Sequence, residues 1–146
     1  MDKVFGIVVK KANNGLDRDA EKFAKTLGIT RMQLSIINYI SRNENKTDIF
    51  QKDIEKEFNI RKASATSALK LMEQKDLIIR VSLPKDARLK RIVLTSKSRQ
   101  LTEQISDYIA SVEAEVTQAV GAEQMQIVKD GLAKVSAFFE NKDEIN

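Results

Sequence analysis

The residues best equipped for chemistry lie between Arg61 and Arg99, and the chemistry they suit is recognition of a polyanion. At helical spacing Ala63, Thr66, Ser67 and Lys70 share one face, with Arg61, Lys62 and Ser64 at its start. Small side chains let a backbone approach closely, hydroxyls donate to or accept from base edges, and lysines meet phosphate. A second cluster, Lys85, Asp86, Arg88, Lys90 and Arg91, follows the sole proline, Pro84. The segment Arg61–Arg99 carries 11 basic and 3 acidic residues, a balance of +8, against −6 for Leu101–Asn146 and +4 for the whole chain. The bland reading is that these charges only solvate a surface. It suits the acidic tail better than the basic segment, whose charge falls on the stretch with docking geometry.

Other chemistries find little support. There is no Cys and no His, which removes thiolate chemistry, disulfides, the usual general base and the commonest zinc ligand. Ser67-Ala-Leu-Lys70 matches a Ser-x-x-Lys nucleophile pattern, yet no Ser-Asp-Asn or Lys-Thr-Gly follows it. No Gly-rich phosphate loop or metal-ligand cluster is present, so neither an enzyme nor a cofactor is expected. The apolar run Val4–Val9 is broken by Gly6 and is too short for a signal core or a membrane span. A cytoplasmic location is expected, and the sequon Asn45-Lys46-Thr47 is read as chance.

The elements that position these residues follow from periodicity. Residues 3–27 read as a helix, with a break expected at Asn13-Asn14-Gly15 and a stop at Gly28. Thr30 and Gln33 fit a capping box opening a buried helix with Met32, Leu34, Ile36, Ile37 and Ile40. A third helix begins near Asp48–Gln51 and buries Ile54 and Phe58, with Asn59 taking a left-handed turn and Ile60 packing into the corner. The next helix, about Lys62–Gln74, turns Ala65, Ala68, Leu69 and Met72 inward. Leu77–Ser82 reads as a strand, Lys85–Arg88 as a hairpin tip, and Arg91–Leu94 as the return strand. Thr95 then caps a long helix to about Val120, Gly121 interrupts, and a last helix spans about Glu123–Glu140.

The expected fold class is mainly α with a small β-hairpin: a winged helix-turn-helix with long N- and C-terminal helices. Its lobe is residues 30–95, with dimerisation helices at 1–28 and 96–146. A helix of about 25 residues spans nearly 40 Å, more than a small core can cover, so a second copy of the chain is the simplest partner. A two-fold dimer would set two reading helices about 34 Å apart on a near-palindrome. An intrachain bundle is the alternative.

These residues resemble the MarR family of bacterial transcription regulators over essentially the whole chain. Asp86-Ala87-Arg88 followed by Ile92-Val93-Leu94-Thr95 resembles its wing signature. Phe58-Asn59-Ile60 and Leu71–Ile78 resemble its helix-turn-helix and exit into the wing. The resemblance implies a homodimer that binds double-stranded DNA and represses, or in some cases activates, nearby genes. It also implies release by a small phenolic or anionic molecule. Carried onto this chain, Arg88 enters the minor groove and Asp86 braces it, while Lys85, Lys90 and Arg91 meet phosphate or solvent. Lys62, Ala63, Ser64, Thr66, Ser67 and Lys70 line the major groove. Two positions depart from the pattern: Arg61 stands where Ser or Thr often caps the reading helix, which leaves a later cap at Ser64 open, and Asp76 stands where Gly is usual. An effector pocket would be lined by Leu16, Phe23, Met32, Ile36 and Tyr39, although core packing accounts better for each. The competing function is a winged-helix module that binds protein instead of DNA; such a module needs no basic face.

Overall fold

The computed structural model describes residues 2–145. The chain forms two compact units, Met1–Ser106 and Asp107–Asn146. The first unit opens with α1 (Phe5–Thr26), α2 (Arg31–Asn43), α3 (Gln51–Phe58) and α4 (Lys62–Gln74). Strands β1 (Ile78–Leu83) and β2 (Asp86–Leu94) follow, then the short α5 (Ser96–Arg99) and the start of α6 (Thr102–Val120). The core gathers Leu34, Ile36, Ile37 and Ile40 of α2, Ile54 of α3, Ala65, Leu69 and Met72 of α4, and Ile78, Ile92 and Leu94 of the hairpin. Burying each of the larger of these side chains contributes about 1.5–3 kcal/mol, which holds α4 by its inner face and leaves the other face free.

Three helices of this unit end in the same way. The N–H of Ile29 reaches back to Ala24, that of Ile60 to Glu55, and that of Leu77 to Met72, at 2.9–3.1 Å. Each ending needs one left-handed residue, and the chain supplies Gly28, Asn59 and Asp76 with φ of 74°, 50° and 60°. Asn and Asp tolerate that conformation better than other residues with a Cβ. The departure at Asp76 therefore preserves the geometry that Gly would give. Ile60, expected to pack into the corner, is half-buried.

Helix starts are equally local. Thr30 accepts from the Gln33 N–H at 3.2 Å and the Gln33 side chain accepts from the Thr30 N–H at 2.9 Å, the expected capping box. Asp53 accepts from the Phe50 N–H at 2.8 Å at the start of α3. Arg61 precedes α4 without a side-chain cap, and α4 still begins at Lys62, so no later cap at Ser64 shortens it.

Four expectations are corrected. α1 runs unbroken through Asn13-Asn14-Gly15, where Asn13 Nδ2 donates to Asp17 Oδ2 at 3.2 Å one turn on. β1 begins and ends one residue later than expected, at Ile78 and Leu83. The hairpin turns at Pro84-Lys85, so Asp86, Ala87 and Arg88 begin β2 instead of forming the tip. Finally, the helix capped by Thr95 stops at Arg99. Leu101 N–H bonds three residues back to Ser98, and the Thr102 hydroxyl takes the Arg99 carbonyl at 2.8 Å, so α6 starts afresh.

In the second unit α6 continues to Val120, and Gly121 (φ 100°) joins it to α7 (Ala122–Ile145). Lys129 Nζ donates to Glu113 at 2.7 Å between the two helices. Phe138 and Phe139 meet edge to face at 5.0 Å and both stay exposed. No helix among the described residues is long and apolar enough to cross a membrane.

Candidate nucleic-acid interface

α4 is presented by its neighbours. Ala65, Leu69 and Met72 are fully buried, and α2, α3 and β1 pack against that side. Ala63, Thr66, Ser67 and Lys70 are all exposed, as are Arg61, Lys62 and Ser64. Spacing alone predicts this division, because residues three and four apart share a helix face. Glu73, the acidic residue nearest that face, sits 3.0 Å from Arg80 Nε of β1, at ion-pair distance but out of hydrogen-bond alignment.

The wing is shaped by an irregular register. Ser82 pairs with Lys90, but Leu83 pairs with Asp86, so Ala87, Arg88 and Leu89 have no partner on β1. Asp86 fastens this bulge. One of its oxygens accepts from the Arg88 N–H at 3.0 Å and from Arg88 Nε at 3.2 Å, and the other lies 3.4 Å from Nη2. The Arg88 side chain is nonetheless 91% exposed, so its remaining N–H groups face solvent. Arg88, first by side chain and then by backbone N–H, holds the Asp86 carboxyl below its usual range.

The cations divide into two sets. Arg91 lies 3.8 Å from Asp48, Arg80 beside Glu73, Arg88 on Asp86, and Arg99 on Glu44, where Nη2 is 3.2 Å from the carboxylate. Glu44 in turn raises the Arg99 pKa. Among the described residues, Arg61, Lys62, Lys70, Lys85 and Lys90 enter no ion pair. Lys75 and Lys97 of the same segment also stand outside ion pairs, and the five named are those at α4 and the wing. Arg91, expected to meet phosphate or solvent, lies beside Asp48 of the loop before α3.

Sequence reasoning missed two features. Gln51, at the start of α3, donates from Nε2 to Thr66 Oγ1 at 2.9 Å and lies 3.5 Å from the Lys62 carbonyl. At the wing's base, Thr95 Oγ1 donates to the Asp76 carbonyl and Ser98 Oγ to the Leu77 carbonyl, both at 2.7 Å. Each hydroxyl also accepts the other residue's N–H, at 3.1 and 3.2 Å. This buried knot ties the end of β2 to the exit of α4. A Ser or Thr three residues apart signals the cap, but not the distant carbonyls.

The five residues expected to line an effector pocket do not share one environment. Ile36 is fully buried in the core, Leu16 is half-exposed on α1, and Phe23, Met32 and Tyr39 are half-buried. Tyr39 meets Phe58 edge to face at 6.1 Å. Burial, with Asp53 and Glu57 nearby, raises its pKa. Met32 lines a cleft of about 340 Å³ with Glu21, Ile29, Thr30 and Arg31.

Residues 27–89 match the model of the MarR family. The solved transcription regulator MarR of Oenococcus oeni is 32% identical and superposes with a TM-score of 0.83, over 92% of this chain and 99% of that one. The chain belongs to the MarR family. It is accordingly a DNA-binding transcription regulator built on the winged helix. A second relative, the HTH-type transcriptional regulator FarR of Neisseria gonorrhoeae, is 31% identical over 108 residues, 74% of this chain and 72% of that protein. MepR of S. aureus, solved as a complex with DNA, shares the fold at a TM-score of 0.84 and 20% identity, over 94% of this chain and 99% of that one.

Proposed function

We propose that two copies of this MarR-family chain pair and lay α4 of each into successive major grooves of a near-palindromic operator, acting as a repressor. The observation that carries the reading is the outer face of α4. It is exposed, small and hydroxyl-bearing, its nearest carboxylate is turned to Arg80, and unpaired Arg61, Lys62 and Lys70 lie along it. Thr66 and Ser67 read base edges, and the free cations together with Lys85 and Lys90 meet phosphate. Arg88, fixed at its base by Asp86 and open at its tip, reaches the minor groove, where a narrow groove concentrates negative potential. The fold that MepR uses in its DNA complex supports this placement.

Pairing is supported by apolar side chains left in solvent near both ends of the chain: Val4 just before α1, Phe5, Ile7 and Val8 on it, and Phe138 and Phe139 on α7. Contiguous exposed apolar groups such as those at the start of the chain are uncommon on monomeric proteins. On this reading the terminal helices are dimerisation elements and residues 30–95 the reading lobe. Release by a small phenolic or anionic ligand rests on the family likeness alone.

The test is binding to promoter DNA and to random DNA as salt is varied. Operator affinity should fall steeply with salt. Arg88→Ala should weaken operator binding roughly tenfold or more, with a salt slope smaller by about one, while the dimer persists. Unchanged affinity and slope would remove the wing from the interface. Equal binding to random and promoter DNA would reject sequence-specific regulation.

A further inference from the structure

We infer that Gln51, which lies on α3 and not on the reading helix, sets the polarity with which Thr66 reads a base and so makes Thr66 select a keto base. The inference rests on the proposed placement of α4 in the major groove. Gln51 Nε2 stands 2.9 Å from Thr66 Oγ1 and 3.5 Å from the Lys62 carbonyl oxygen. A carbonyl only accepts, so the amide nitrogen and not its oxygen must face that side. Toward Thr66 the amide therefore donates, and the Thr66 hydroxyl is the acceptor.

A hydroxyl carries one proton, and accepting from Gln51 leaves that proton to be placed elsewhere. A threonine in a helix commonly gives it to the carbonyl four residues back. Here that carbonyl is Lys62, which already takes the helix bond and faces the Gln51 amide. Among the described residues no protein acceptor takes the Thr66 proton, and Thr66 is exposed. The hydroxyl thus points a donor outward. In the major groove guanine O6 and thymine O4 accept, whereas adenine N6 and cytosine N4 donate from the same places. The outward proton favours the first pair, whereas the second finds only the one lone pair that Gln51 leaves, with the proton turned aside to water.

Replacing the amide by a carboxylate inverts the arrangement. In Gln51→Glu the group facing Thr66 can only accept, so the hydroxyl donates inward and presents lone pairs outward. The preferred base at the contacted position should change from keto to amino, guanine to adenine or thymine to cytosine.

The experiment is selection of bound sequences from a randomised DNA library by the full-length protein, in the wild type and in the Gln51→Glu, Gln51→Ala and Thr66→Val variants. The wild type should prefer a keto base over its amino counterpart by about two- to tenfold at one position of each half-site, the range one net hydrogen bond gives. Thr66→Val and Gln51→Ala should flatten that position and spare the others, and Gln51→Glu should reverse it. The added charge lowers affinity for all sequences, so the base ratio and not the affinity is read. If Gln51→Glu binds too weakly for selection, Gln51→Ala decides. A keto preference that survives both Gln51 variants, or an amino preference in the wild type, overturns the inference. Enrichment of no sequence by the wild type would instead overturn the operator reading itself.

Discussion

At the scale of single residues, the wing separates charges that build from charges that bind. Asp86 holds Arg88 through three contacts, and its carboxyl pKa is lowered by them. A carboxyl depressed in the folded protein contributes above its unfolded pKa, and the contribution is lost as pH falls through the folded value. The bulge should therefore stay fastened throughout the neutral range and loosen only below the ordinary carboxylate range. Carbon-detected NMR titration of Asp86 checks this: its midpoint should lie below that of an exposed aspartate and return toward it in Arg88→Ala. An Asp86 midpoint that does not move in that variant would mean Arg88 is not its main partner. The sequence named Asp86 and Arg88 as a pair, because the two positions are local. It was silent on Gln51, whose partner Thr66 lies 15 residues away on another helix.

At the scale of elements, what was legible is what short-range rules decide. Gly28, Asn59 and Asp76 mark helix ends because a left-handed turn restricts residue type, and the pattern Thr30–Gln33 marks a start because both bonds close within four residues. Illegible were the turn at Pro84-Lys85 and the slip that leaves Ala87, Arg88 and Leu89 unpaired, since alternation in so short a strand fits several registers. The break between α5 and α6 was also hidden, because Leu101 keeps helical spacing with the residues after it. The knot at Thr95 and Ser98 joins these local pieces over a distance. Ser98 is completely buried, and Ser98→Ala would leave the Leu77 carbonyl only the Thr95 N–H, at 3.3 Å, and take the closer of two acceptors from that N–H. That change should cost about 1–3 kcal/mol in denaturant unfolding, with Thr95→Val costing a similar amount by exposing the Asp76 carbonyl to no donor. A loss under about 0.5 kcal/mol would mean that water replaces both hydroxyls.

At the scale of the whole molecule, the distribution of charge and of uncovered apolar surface points to a protein that works in pairs on DNA. The basic balance is concentrated in Arg61–Arg99, whereas Val4 before α1 and Phe5, Ile7 and Val8 on it lie exposed. If those α1 side chains are covered by a second copy, Phe5→Glu with Val8→Glu would bury two carboxylates at a two-fold contact and meet them twice. Each unpaired buried charge costs several kcal/mol, enough to split a dimer at micromolar concentration. The double variant should sediment as a monomer while keeping its helical circular dichroism, since neither side chain belongs to the core of the first unit. Its DNA binding then reports on the geometry. A dimer gains affinity from the second half-site only when the spacing matches one helical turn, so the wild type should lose binding when about five base pairs are inserted between half-sites. The monomer should bind weakly and with no regard to spacing. A double variant that remains dimeric would place the pairing surface away from the start of α1, and one that is monomeric yet still spacing-sensitive would rule out pairing as the source of the operator's symmetry.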